Sequence, residues 1–146
     1  LVISSPGGLV DEALAAAKLL ESHPELTVQA EEECNSACLI VLMGGANRAA
    51  DWRMQFGFHR TSPITNVTGI TADELSIQSA AASRYLERRG IPADILRAAA
   101  ETPPESLKYF SAIDLFERNV LHVLLDQGST TSVPEAKWRF AESIVS

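Results

Sequence analysis

Three features of the sequence could carry chemistry together: Ser36, the downstream His59, and the glycine pair Gly7-Gly8. Ser36 sits where an acidic strand end, Glu31-Glu32-Glu33, turns into an apolar helix. A hydroxyl becomes a useful nucleophile at the end of a rigid element with a base in reach. A helix N-terminus adds a field that stabilises developing negative charge. Serine is also a common helix N-cap, which is a purely structural role. His59 closes an alternating stretch from Arg53 to Arg60. Met54, Phe56 and Phe58 share one face, and Gln55, Gly57 and His59 share the other. Two parallel strands joined through one helix would bring the imidazole near Ser36 as its base. His23, in a Ser-His-Pro turn, and His122, alternating within an apolar strand, carry no such pattern. A glycine pair ahead of a helix can offer backbone N–H groups to an oxyanion, although most such pairs are only turns.

Cys34 and Cys38, the two cysteines of the chain, bracket Ser36. Two cysteines cannot build a zinc site alone, and no histidine stands at ligand spacing to them. Neither metal nor cofactor is expected. Spacing leaves three readings open: two buried small hydrophobes, a redox pair, or a disulfide across one turn.

The elements that must position these groups follow from turn and cap signals. Leu1-Val2-Ile3 reads as a short buried strand, and Ser5-Pro6-Gly7-Gly8 as a turn. Asp11 to Ser22 is predicted to be a helix rich in Ala and Leu. Leu26 to Glu33 is a second strand, with Val28 and Ala30 on one face. Asn35 or Ser36 is predicted to cap a helix, apolar nearly all round and therefore interior, that ends at Gly44-Gly45. Pro63 to Gly69 reads as a loop, and its Asn66-Val67-Thr68 matches a glycosylation acceptor by a triplet that arises often by chance. Thr71 is predicted to cap a long helix to Arg89, with Glu74 at the capping-box position and Gly90 at its end. Its apolar stripe (Leu75, Ala82, Leu86) could pack on its own domain or on another copy. Pro92 opens a shorter helix to Ala100. Ser111 caps another, with Asp114 three residues on. Val120 to Leu125 is the last strand, 128–133 a polar linker, and Pro134 opens a terminal helix. This alternation predicts an α/β fold with a largely parallel sheet.

The chain has 146 residues, 46% of them hydrophobic, and a net charge of −7. That is enough for one core and too little for two, so residues 1–146 are expected to form a single domain. The acidic balance argues against nucleic acid as a partner. The longest apolar run, from Ala37 to Ala46, is too short to span a membrane. No leader is recognisable, and the chain opens directly in a strand, as expected of a piece trimmed at its first strand.

The same residues resemble a known family. Ser4-Ser5-Pro6-Gly7-Gly8 with its Ala-rich helix looks like the turn and helix of the Clp-type serine peptidases in the ClpP/crotonase superfamily. Asn35-Ser36-Ala37 resembles that family's nucleophile turn, and Phe56-Gly57-Phe58-His59 the strand that ends in its histidine. The helices after Thr71 and Pro92 look like its handle, and Tyr109-Phe110-Ser111-Ala112 like its closing elements. The resemblance implies a spiral of β-β-α units with a helical handle. It implies Ser36 as nucleophile, His59 as base, and the N–H groups of Gly8 and Ala37 as the oxyanion hole. The chain departs from the pattern at the third member. Ser106 or Leu107 stands where the family has an aspartate, and Glu105 is the nearest acid. The histidine is then oriented by Glu105, by the Ser106 hydroxyl or by backbone. The cysteine bracket is similar to that of secreted or periplasmic bacterial relatives. It implies an extracytoplasmic protein with an oxidised Cys34–Cys38 pair, the cytoplasm being the alternative.

The implied function is an ATP-independent serine hydrolase, a peptidase acting on peptide or protein substrates through an acyl-enzyme, and assembled as a homo-oligomer. The alternatives are a non-catalytic peptide-binding or oligomeric scaffold and an acyl-CoA-type crotonase relative. A Ser–Lys dyad would need Lys18, Lys108 or Lys137 near Ser36.

Overall fold

The computed structural model describes residues 1–60 and 72–145. The predicted loop with its glycosylation triplet, and Thr71 as a cap, lie outside the described residues. The elements run β1 (Val2–Ser5), α1 (Val10–Glu21), β2 (Thr27–Asn35), α2 (Ala37–Gly44), β3 (Asn47–Asp51), β4 (Gln55–Phe58), α3 (Ala72–Arg88), α4 (Ala93–Glu101), β5 (Lys108–Ser111), α5 (Ala112–Glu117), β6 (Val123–Asp126), β7 (Ser129–Thr131) and α6 (Val133–Val145). The fold is mixed α/β. Among the described residues one sheet has the order β5-β4-β2-β3-β6-β7, with β1 also on β2. The pairs β1·β2, β2·β3, β2·β4 and β3·β6 are parallel, whereas β4·β5 and β6·β7 are antiparallel.

Three strands escape the sequence reading. β3 carries Arg and Asn beside three small or acidic residues and has no alternating apolar signal. β5 is four residues long on the sheet edge. β7 falls in the predicted linker, which is instead the second arm of a hairpin. Its turn, Gln127-Gly128, has positive φ at both residues (52° and 84°), the backbone of a two-residue hairpin loop.

The strand β2 organises the sheet. Its first half pairs with β1 and β3, through Gln29 and Ala30. Its end pairs with β1 again, and with β4 in place of β3, through Cys34 and Asn35. The change of partner occurs at the exposed Glu31-Glu32-Glu33, where Glu32 adopts a positive φ of 59°. On β1 one residue separates the partners of Ala30 and Cys34, whereas on β2 three do. Extra residues on one strand bend it and increase its twist. The bend carries the end of β2 from β3 to β4, and so towards His59.

The helix α2 is almost wholly buried, as its unbroken apolar sequence requires. It lies against α1 at Gly44, where a Cβ would stand 2.5 Å from the Ala17 carbonyl oxygen and 2.6 Å from the Ala17 Cα. Its carbonyl end is met by two arginines. Arg89, in the turn just after α3, donates to the Met43 carbonyl at 2.8 Å, and Arg48 of β3 donates to the Gly45 carbonyl at 2.9 Å. Cations at a helix C-terminus satisfy its orphan carbonyls and oppose its dipole. Burial, aided by the charge of Arg89, pushes Arg48 down to about 10, so it still carries its charge at neutral pH. Arg48 also donates to the Val120 carbonyl at 2.7 Å, and its backbone N–H donates to His122 Nδ1 at 3.1 Å. Glu21 of α1 pairs with Arg88 and Arg89 and accepts from the Tyr85 hydroxyl, which ties α1 to α3. On α3, Ala82 and Leu86 pack into the core of their own domain, while Ile77 is exposed.

Two outcomes follow. Gly44→Ala forces backbone apart between α1 and α2, and a cost of about 1–3 kcal/mol is expected as a lower urea midpoint at unchanged slope. His122 accepts at Nδ1, which requires the neutral ring, and burial followed by the Arg48 charge lowers its pKa. The unfolded chain therefore binds more protons as pH falls below the ordinary histidine range of about 6.5. Its contribution is present above that range and is lost as pH falls through the lowered folded pKa. Urea melts from pH 7 to pH 5 should show this decline, and His122→Asn should flatten it.

Candidate active site

Ser36 occupies the single residue between β2 and α2, with φ 54° and ψ −121°. A positive φ is unusual for a residue with a Cβ and costs on the order of 1–3 kcal/mol unless its surroundings enforce it. Here several contacts do so. The Ser36 N–H donates to the Gly57 carbonyl of β4 at 2.8 Å, and the Ser36 carbonyl accepts from Leu39 at 3.0 Å. The Gly57 N–H donates to Asn35 Oδ1 at 2.8 Å, within the core. The Gly57 residue is therefore gripped on both sides by the turn. A Cβ on Gly57 would fall 2.6 Å from Asn35 Oδ1 and 3.0 Å from Leu107 Cδ1, so only glycine fits.

Ser36 takes the predicted N-cap position of α2, but neither its side chain nor that of Asn35 makes the capping bond. Asn35 turns inward to the Gly57 amide, and the Ser36 hydroxyl has no hydrogen-bond partner among the described residues. Ser111 does cap α5, accepting from the Asp114 N–H at 3.0 Å.

Gly7 lies against Ser36. At φ 133°, its missing Cβ would stand 3.2 Å from Ser36 Cβ and 3.6 Å from Oγ. The Gly7 N–H is taken by Ser5 Oγ at 3.1 Å. The N–H groups of Gly8 and Ala37 have no protein acceptor among the described residues. Gly8 and Ala37 both line a cavity of about 420 Å³ between β1, α1 and α2. Cys34 and Cys38 are joined in a disulfide across the turn, with 5.2 Å between their Cα atoms. Cys34 is fully buried in β2, and Cys38 is the second residue of α2.

His59 follows β4, and its Nδ1 lies 2.6 Å from the Arg60 carbonyl. A carbonyl only accepts, so in the neutral ring this contact places the proton on Nδ1 and leaves Nε2 basic. Arg60 is itself held by donating its N–H to the Thr102 carbonyl at 3.1 Å. Ser36 and His59 line one cavity of about 320 Å³, with Ala37, Leu39, Phe58, Ala82, Leu86 and Leu96 among its walls. No hydrogen bond joins the hydroxyl to the imidazole. Catalytic contacts in substrate-free sites are often long and tighten on binding.

Glu105 is exposed in the turn before β5 and makes no hydrogen bond to His59 among the described residues. Ser106 is exposed beside it, and Leu107 packs against Gly57. Of the three groups expected to orient the histidine, backbone is the one the structure places against it. No lysine lines the cavity with Ser36: Lys18 is exposed on α1, Lys108 is exposed on the edge strand, and Lys137 pairs with Glu117 at 2.5 Å. The roles of Asn35 and Gly57 escape the sequence, and of the backbone option for His59 it does not name the Arg60 carbonyl. A glycine inside a strand, facing the same way as His59, was the available signal for the first two.

No family model matches this sequence, and no curated protein matches it. A solved structure, the ClpP1 N165D mutant from Listeria monocytogenes, superposes with a TM-score of 0.67. It is 14% identical and covers 87% of this chain and 74% of its own. The chain has a ClpP-like fold. Among the described residues no helix is long and apolar enough to cross a membrane.

The clamp on Gly57 gives a double-mutant test. Asn35→Ala strands the buried Gly57 N–H and should cost about 1–3 kcal/mol. Gly57→Ala should cost as much or more through the clash. Because the clash is with Asn35 itself, the pair combined should cost less than the sum of the two, measured by chemical denaturation.

Proposed function

We propose that the chain is a serine hydrolase of the peptidase type, acting without ATP through an acyl-enzyme on Ser36. The observation that carries this is the strained Ser36 turn opening onto the same cavity as His59. In this reading Ser36 Oγ attacks a carbonyl carbon while His59 Nε2 takes its proton. The imidazolium, held at Nδ1 by the Arg60 carbonyl, then protonates the leaving group. The developing oxyanion meets the N–H groups of Gly8 and Ala37, whose loss typically costs 10²–10³ in rate in such sites. The ClpP-like fold supports the peptide class of substrate, and an extended peptide can add along a sheet edge beside the site. We place the protein in an oxidising bacterial compartment, periplasmic or secreted, on the strength of its disulfide. We also propose a homo-oligomer, supported by the exposed Ile77 on α3.

A second reading is a peptide-binding scaffold that retains the fold without cutting. The leucine at position 107 and the missing Ser36–His59 hydrogen bond favour it. A fluorophosphonate probe separates the two. The folded wild type should gain one adduct, mapped by mass spectrometry to Ser36. Ser36→Ala should gain none, and His59→Ala should label at least about 10²-fold more slowly. Folded wild type that takes no probe supports the scaffold.

A further inference from the structure

The disulfide occupies a place that its count in the sequence does not reveal. One half, Cys34, lies where β2 pairs on both sides, with Ser5 of β1 and Phe56 of β4. The other half, Cys38, is in the first turn of α2. Between them stand Asn35, which grips Gly57, and Ser36, with its positive φ. The bond therefore fastens the two rigid elements whose junction is the strained residue. It joins elements close in sequence and in contact regardless, so it adds little to the global fold and much to this one turn.

We propose that the Cys34–Cys38 disulfide is a redox gate on Ser36: oxidised, it holds the turn in its reactive conformation, and reduction by a dithiol releases it. The gate rests on the hydrolase reading above. Both cysteines are buried, Cys34 at 0% and Cys38 at 4% exposure, but Cys38 alone of the two borders the cavity beside Gly7 and Gly8, so the reductant reaches the bond from that side. A thiolate of the dithiol attacks Cys38 Sγ. The Cys34–Cys38 bond breaks, Cys34 leaves as a thiolate and takes a proton, and a mixed disulfide remains on Cys38. The second thiol of the reductant resolves it, releasing Cys38 as a thiol and the reductant as its own disulfide. Two electrons pass to the protein and two protons follow. The freed turn then relaxes from its unfavourable backbone region, and the hydroxyl leaves its place between Gly7 and the cavity.

The test uses the full chain, oxidised, reduced with dithiothreitol and reoxidised, with thiols titrated in each state. Two readouts are taken: the rate of fluorophosphonate labelling, and amide hydrogen exchange at Ser36 and Gly57. On reduction, labelling should slow roughly tenfold or more and exchange at both amides should rise, while α1 and β6 stay protected. Reoxidation should restore both. The Cys34→Ala/Cys38→Ala pair should label at the reduced rate whether or not dithiothreitol is present. Unchanged labelling and exchange with both thiols titratable overturn the gate and leave the hydrolase reading standing. Exchange that rises throughout the chain also overturns it, because the bond is then a global staple. A chain that labels in neither state overturns the hydrolase reading and the gate with it.

Discussion

The Gly57 residue is gripped from both sides by the turn that carries Ser36, its N–H on Asn35 Oδ1 and its carbonyl on the Ser36 N–H. The remaining geometry of the site depends on this pairing. It fixes the register of β4 against the end of β2, and so fixes where the chain emerges as His59. It also supplies part of what offsets the unfavourable backbone of Ser36, since each hydrogen bond contributes on the order of 1 kcal/mol and an orphaned buried partner costs more. Glycine is required because a side chain would occupy the volume of the Asn35 amide.

Two devices bring the clamp together. The glutamate bulge in β2 bends that strand away from β3 and towards β4, using three exposed acids that need no burial. The buried helix α2 is oriented by its ends. Its carbonyl terminus is satisfied by Arg48 and Arg89, and at its N-terminus the Ala37 N–H has no acceptor among the described residues beside the Ser36 turn. A helix held this way presents its positive end at the Ser36 turn, where the proposed mechanism develops negative charge.

Much of this was legible in the sequence because local rules and tertiary demands agree there. The apolar run of α2, the small residues of α1 and the alternation leading to His59 each have one stable solution. That Ser36 and His59 border one cavity is in keeping with the α/β alternation and with the family resemblance. What was not legible depends on contacts distant in sequence. β3 and β5 owe their strand state to neighbours rather than to alternation. The linker reading of 128–133 failed because the Gln127-Gly128 turn closes a hairpin whose second arm is polar. Asn35 resembled a helix cap because that is the residue's commonest local use, and its bond to Gly57 exists only once β4 is in place. Of Glu105, the Ser106 hydroxyl and backbone, the groups left open for His59, a main-chain carbonyl is the one that meets its ring, and no side-chain pattern reports which one.

Pre-steady-state hydrolysis of a p-nitrophenyl ester probes the proposed nucleophilic role of Ser36 without the rest of a substrate. A burst of p-nitrophenol approaching one equivalent per chain is expected, with a matching acyl group on the peptide that contains Ser36. A folded protein that shows no burst, or that carries the acyl group on another residue, would contradict it.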